Sequence, residues 1–279
     1  MMTNCSVGRA RTIEASAARF QSSRVFPFSC VWCVLWAFSL TRCYALPPLI
    51  TGDVPTADRG RFELYAGFRY QDTGTIARQI PHAELIYGIT ERWEVGVEGN
   101  YLSRAGEHGF DDVTFATKLV LLPETAQRPG FAASYELKLD NGDAERGLGS
   151  GGFEHDLRLR AQKSFAWFTP IVNVGYVLVP DAEISGTRSA RQDVWRASFA
   201  QEWQVAKRTK LLSEIYWRTS DEPGEPNRLA WNAGVKHKLS DNLSVHAAVG
   251  ESLRASNRGG PDLRVYAGVK WEFDAPWKR

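Results

Sequence analysis

From residue 46 onward the chain has no cysteine; all four, Cys5, Cys30, Cys33 and Cys43, lie in the first 45 residues. This excludes a disulfide-stapled fold and a thiolate metal centre over most of the chain. An excess of one charge sign is also missing. With 34 Lys and Arg against 32 Asp and Glu, the net charge of +2 is too small to hold a polyanion such as nucleic acid. Long apolar runs are absent apart from Val25–Leu40 (VFPFSCVWCVLWAFSL), so a bundle of membrane-spanning helices is excluded. No stretch shows a convincing 3.6-residue period.

The one apolar run is followed by Cys43-Tyr44-Ala45, with small residues where a signal peptidase reads. Residues 1–45 carry five arginines and a single acid, Glu14. They are expected to be a secretory signal peptide cleaved after Ala45, so the mature chain is exported. As a membrane anchor, a run interrupted by Pro27 is short. Cys30-Val-Trp-Cys33 has redox spacing but sits inside the apolar run, without a βαβ context.

What is present is a period of two. In FELYAGFRY, Phe62, Leu64, Ala66, Phe68 and Tyr70 share one face, while Glu63, Tyr65, Gly67 and Arg69 share the other. The last such segment, LRVYAGVKWEF, repeats the pattern. Twelve segments follow it, at 62–71, 81–90, 92–102, 112–122, 130–140, 153–164, 167–179, 192–205, 209–219, 228–239, 242–253 and 262–273. Most are long for strands of a soluble domain and match the span of a tilted strand crossing a bilayer. Short turns at 90–91, 164–166, 206–208 and 240–241, and a somewhat longer one at 123–130, alternate with long connections rich in Gly, Pro, Asp and Ser. All long loops therefore emerge at one end, as in an outer-membrane barrel.

Aromatics fall at both ends of the segments. Trp93, Trp167, Phe168, Trp203, Trp271 and Phe273 are expected at the periplasmic rim, and Tyr101, Phe153, Trp195, Trp217 and Trp231 at the outer rim. A soluble β-sandwich or lipocalin-like barrel would share the alternation with its faces reversed. Strand length, loop asymmetry and aromatic placement favour the membrane barrel.

In that barrel the polar face lines the lumen. Phase assigns Glu63, Glu84, Glu94, Glu98, Glu136, Glu154, Asp156, Glu202, Glu214 and Glu272 to it. The bases on the same face are Arg69, Lys118, Lys138, Arg158, Arg160, Arg218, Lys236, Lys238, Arg264 and Lys270. His82 and Glu84, at i and i+2, share the lumenal face and are expected near the outer mouth, where a structural hydrogen bond is the simplest role and contact with a solute or metal the alternative. The charges either brace the wall or line a path for a polar solute, and both roles are open. Twelve strands imply a narrow lumen.

Other motifs carry less. Asp140-Asn-Gly-Asp143 lacks the downstream ligands of a calcium loop and reads as a turn. Gly147–Gly152 precedes a strand rather than a helix and so lacks a phosphate-binding helix end. Ser213 and His237 point outward on neighbouring strands, but no third member completes a hydrolytic site, so no catalytic residues are expected.

Six stretches, PPLITGDVPTADRGRFELYAGFRY, IPHAELIYGITERWEVG, ELKLDNGDAERGLGSGGFEHDLRLRAQKSF, LLSEIYW, DEPGEPNRLAWNAGVKHKL and NRGGPDLRVYAGVKWEFDAPW, resemble the family of outer-membrane barrels named for the MetA pathway of phenol degradation. The resemblance covers nearly all of residues 47–277. Asp140-Asn141-Gly142 stands where that family commonly has Pro-Thr-Gly, and Asp274–Arg279 extend past the terminal aromatic Phe273. The family's name implies a link to uptake of aromatic compounds.

The expectation is an all-β chain. It has a signal peptide (1–45), an N-terminal periplasmic segment (46–61), a twelve-stranded transmembrane β-barrel (62–273) and a C-terminal extension (274–279). It is expected in the bacterial outer membrane as a narrow passive channel for small solutes, with selectivity set chiefly by Glu136, Lys138, Asp156, Arg158 and Arg160. The alternative is a non-conducting barrel whose outer loops bind a partner. Expected partners are outer-membrane lipid, the barrel assembly machinery and a small-molecule solute; no nucleic acid, cofactor or metal is expected.

Overall fold

A computed structural model describes residues 48–72, 76–104, 106–184, 187–254 and 263–277. The expected signal peptide lies outside the described residues. Fifteen strands follow one another along the chain: β1 (Arg61–Asp72), β2 (Ile76–Thr90), β3 (Trp93–Arg104), β4 (Glu107–Phe110), β5 (Thr114–Leu122), β6 (Gly130–Lys138), β7 (Glu154–Gln162), β8 (Phe168–Leu178), β9 (Ala182–Ile184), β10 (Thr187–Ser189), β11 (Val194–Ala206), β12 (Thr209–Arg218), β13 (Arg228–Lys238), β14 (Leu243–Arg254) and β15 (Leu263–Asp274). Twelve of them pair antiparallel with both neighbours, and β1 closes the ring on β15 through Phe62↔Phe273 to Gln71↔Arg264. Closure leaves the ring itself without an unpaired edge strand among the described residues, which is what lets a sheet sit in lipid.

The ring has the twelve expected members, and the long connections hold strands of their own. Expected as loop, residues 76–80 continue β2 in register with β1, Asp72 opposite Ile76. β4 folds back on the outer end of β3, and β9 and β10 form a separate two-stranded ribbon. Residues that leave the bilayer still satisfy their backbone donors most cheaply by extending the hairpin they are already part of.

Side-chain burial runs opposite to that of a soluble protein. Leu157 and Leu159 are 51% and 62% exposed, whereas Arg158 and Arg160 between them are each 6% exposed. Phe115, Leu119, Phe131, Val172, Val174, Leu211 and Ile215 join the exposed apolar face, and Lys118, Lys138, Asp156, Glu202 and Glu214 the buried polar one. Turning the apolar face out is favourable where the solvent is hydrocarbon. Aromatic pairs mark the rims: Phe168 with Trp203 and Trp271 with Phe273 at one end, Tyr176 with Trp195 at the other. The described part of the C-terminal extension adds to the first of these rims. There Trp277 stands edge-on to Phe62 at 5.7 Å and to Tyr87 at 5.8 Å.

Candidate functional site

The interior is built from alternate residues of the twelve strands, and nearly every charge there is paired. On β6 and β7, Arg158 donates to Asp156 at 2.6 Å and to Glu136 at 2.9 Å, and Arg196 on β11 reaches the same Asp156 at 2.5 Å. Nearer the outer end, Lys138 meets Glu154 at 2.9 Å, and Arg191 joins Glu154 at 3.2 Å to Asp221 at 2.8 Å, which also takes Arg218 at 2.6 Å. On the opposite wall Lys270 bridges Glu63 (2.8 Å) and Glu272 (2.7 Å). Glu202 holds Lys210 and Lys236 at 2.6 and 2.7 Å. Arg264 lies over the Tyr216 ring at 5.8 Å. Lys238, expected among this set, is exposed at the periplasmic end of β13. Charges taken out of water in this way persist because each is met by an opposite charge at hydrogen-bond distance.

His82 is fully buried and structural. It receives Arg69 at Nε2 (3.1 Å), which leaves the ring proton on Nδ1 to donate to Asn100 at 2.7 Å. Asn100 in turn donates to Glu98 at 3.0 Å, and Arg69 lies 3.6 Å from the same carboxylate. Glu84, two residues beyond His82, is half-buried and has no hydrogen-bond or ion-pair partner among the described residues.

The largest departure from expectation concerns segment 46–61. Expected on the periplasmic side, it contributes residues 49–57 to the barrel interior as a belt along the inner wall. Glu214 on β12 accepts hydrogen bonds from Ile50 N (2.8 Å), Thr51 N (2.7 Å) and Thr51 Oγ1 (2.7 Å), and a further one from Asn232 on β13. Asn173 on β8 pairs with Gly52 in both directions, receiving its N–H at 2.8 Å and donating to its carbonyl at 2.9 Å. Arg160 on β7 donates to the Asp53 carbonyl (3.3 Å), and Lys118 on β5 approaches the Asp53 carboxylate at 3.4 Å. Gln162 accepts from Val54 N (3.2 Å) and Glu94 on β3 from Ala57 N (2.6 Å).

Apolar belt residues seat in the gaps between these anchors. Leu49 packs with Ile171, Ala200 and Leu212; Ile50 with Tyr216 and Ala230; Val54 with Val120 and Ala132; Ala57 with Tyr65 and Ile86. The contacts follow the wall from β13 through β12, β11, β8, β7, β6, β5, β3 and β2 to β1. A Cβ on Gly52 would displace the Arg160 guanidinium that lies against it. Burial raises the Asp53 carboxyl pKa, but Lys118, Lys236 and Arg160 together outweigh burial and hold it below the usual carboxylate value.

Three of the groups that hold this interior together, Asn173, Arg196 and Arg191, were absent from the expected set. Arg196 shares the phase of Glu202 and was readable from alternation. Asn173 shares its phase with Ile171 and Gly175, with nothing in the residue type to mark it, and Arg191 lies in a connection. The five residues expected to set selectivity do come together: Glu136, Asp156 and Arg158 form one network, Arg160 sits 3.9 Å from Glu136 and holds the belt, and Lys138 belongs to the adjoining network. Ser213 and His237 are separated, since Ser213 stands opposite Ala233 and His237 opposite Thr209, whose hydroxyl it meets at 2.9 Å.

A closed antiparallel ring with an apolar outside, aromatic rims and a charged, belted interior defines an outer-membrane β-barrel, and the chain's location is the bacterial outer membrane. More particularly, residues 56–266 match the family described as "Putative MetA-pathway of phenol degradation", and the chain belongs to that family. No curated protein matches the sequence. Among solved structures, an outer-membrane channel from Pseudomonas putida F1 superposes with a TM-score of 0.65 at 14% identity, covering 80% of this chain and 98% of that one. The NanC porin (0.55, 8% identity, 75% and 98% covered) and the KdgM porin (0.53, 9%, 76% and 99%) share the architecture. At these identities the likeness is one of fold.

Proposed function

We propose that the protein is a passive outer-membrane channel for small solutes, whose lumen is narrowed by its own N-terminal belt. The observation that carries this reading is the belt itself. A barrel meant as a sealed structural element has no need of an inner segment held by so many polar contacts. A channel, by contrast, sets its bore by what lies against its wall. The wall beside the belt is charged with both signs, which suits polar or zwitterionic solutes. The family's description mentions phenol degradation, so aromatic compounds are the first solutes to try. Solute would move down its gradient, and no cofactor enters the reading. Glu136, Lys138, Asp156, Arg158 and Arg160 are proposed to set charge selectivity.

Liposome swelling tests this. Proteoliposomes should admit small sugars and phenolic compounds and exclude solutes above a sharp size limit. If no solute of any size enters, the lumen is sealed and the protein acts through its outer loops.

A further inference from the structure

Between β2, β3 and β5 the interior holds a cavity of about 40 Å³ that the belt does not fill, lined by Glu84, Glu94, Glu98, Thr114, Lys118 and Arg160 among others; Lys118 is engaged by Glu94 and Arg160 by Ser134 and the Asp53 carbonyl. Glu84, Glu98 and Thr114 stand in one row across three strands, each directly opposite the next. Adjacent strands are about 4.8 Å apart, so a group placed over Glu98 reaches both Glu84 and Thr114.

The acids of this cavity are not equivalent. Glu94 is met by Lys118 at 2.9 Å, and Glu98 by Arg69 and the His82–Asn100 pair. Glu136, at the cavity's edge, belongs to Arg158. Glu84 has no hydrogen-bond or ion-pair partner among the described residues, and its carboxyl group directly faces that of Glu98. The second observation is independent of the acids. Thr114 is 4% exposed, and its hydroxyl, turned into the same cavity, has no hydrogen-bond partner. Leaving such a hydroxyl unpaired costs free energy unless something arrives to fill it.

We propose that this cavity is a transit site for a primary ammonium group, with Glu84 as its carboxylate partner and Thr114 as a second acceptor. The inference rests on the channel reading and names a class of solute for it. An ammonium group carries three donors and no acceptor, which matches a cavity offering a free carboxylate and a free hydroxyl. A metal ion fits less well, since the described residues contain no group of three ligating side chains suited to one. Ile86, two residues along β2 on the same face, gives the organic part of the solute an apolar wall. At about 40 Å³ the site suits an ammonium group on a small alkyl body.

The probes are propylammonium and its neutral isostere 1-propanol, with binding to folded protein in detergent micelles followed by saturation-transfer NMR. The wild type should prefer the ammonium. Glu84→Gln should weaken that binding by about tenfold or more, the scale of a lost charge-assisted hydrogen bond, and leave the alcohol unaffected. Thr114→Val should weaken it less. Heat-modifiable gel mobility reports whether each variant has folded. Equal binding of the two probes by the wild type, or unchanged ammonium binding in Glu84→Gln, overturns the proposal. A planar-bilayer recording of the wild type decides the channel reading separately. Glu84-dependent binding in a non-conducting barrel would leave the site standing and remove its role in transit.

Discussion

Removing the Glu214 carboxylate should release the first arm of the belt. In Glu214→Ala, Ile50 N and Thr51 N lose their acceptor together, while Thr51 Oγ1 keeps Ser198 Oγ at 2.8 Å. A hydrogen bond to a charged group contributes about 1.5 kcal/mol at the low end of its range, so two amount to about 3 kcal/mol, roughly a hundredfold in the ratio of held to released arm. The apolar contacts of Leu49 persist and keep the held state populated, so the arm should open transiently. Residues 52–57 should stay in place, because Asn173, Gln162 and Glu94 hold them independently. A cysteine at position 50 measures this cleanly, since residues 46–279 contain no other. Labelling of Ile50→Cys by a membrane-impermeant maleimide should be slow in the otherwise native barrel and faster by up to about a hundredfold when Glu214→Ala is added. Equal rates in the two backgrounds would refute the idea that Glu214 pins the arm.

Three further outcomes follow from the same contacts. Leu159→Arg places a cation at a mid-strand position on the lipid face and should cost about 2–4 kcal/mol of folding stability in vesicles, whereas a soluble barrel would tolerate it. Arg158→Glu should shift ion selectivity toward cations in a planar bilayer, because it turns the Glu136–Asp156 network strongly negative; an unchanged reversal potential would remove these residues from the path. In the loop after β12, burial pushes the Asp221 carboxyl up, but Arg218 and Arg191 outweigh it and hold the pKa at about 2. A depressed carboxylate stabilises above its unfolded value and loses that contribution as pH falls toward the folded one, so Asp221 should contribute about 2 kcal/mol to loop order at pH 7. Pepsin cleavage within 219–227 should therefore rise steeply between pH 4 and pH 2, and Asp221→Asn should be cut readily across that range.

Alternation made the wall legible, because a strand's side-chain period is fixed by its backbone. Leu157, Arg158, Leu159 and Arg160 have one arrangement that suits lipid, and the residues state it. The twelve-strand count came from the same source. The partners of each lumenal charge were less legible. Arg158 meets Glu136 through strand register, whereas Arg191 meets Glu154 through a loop whose path no local pattern encodes. The belt was not legible at all. Its residues have no period, Pro47 and Pro48 signal only extended chain, and every hydrogen bond that anchors it to the wall crosses a large sequence distance, up to 164 residues for Ile50 with Glu214. Hydrophobic Leu49, Ile50 and Val54 in a supposedly periplasmic segment were the one available sign.

The central claim is that the belt sets the bore of a conducting barrel. Its most direct test is single-channel conductance in a planar bilayer, comparing a barrel that begins at residue 46 with one that begins at residue 58. The account predicts small, steady steps for the first and a several-fold larger conductance without the belt. Equal conductance in the two, or none in either, would contradict it.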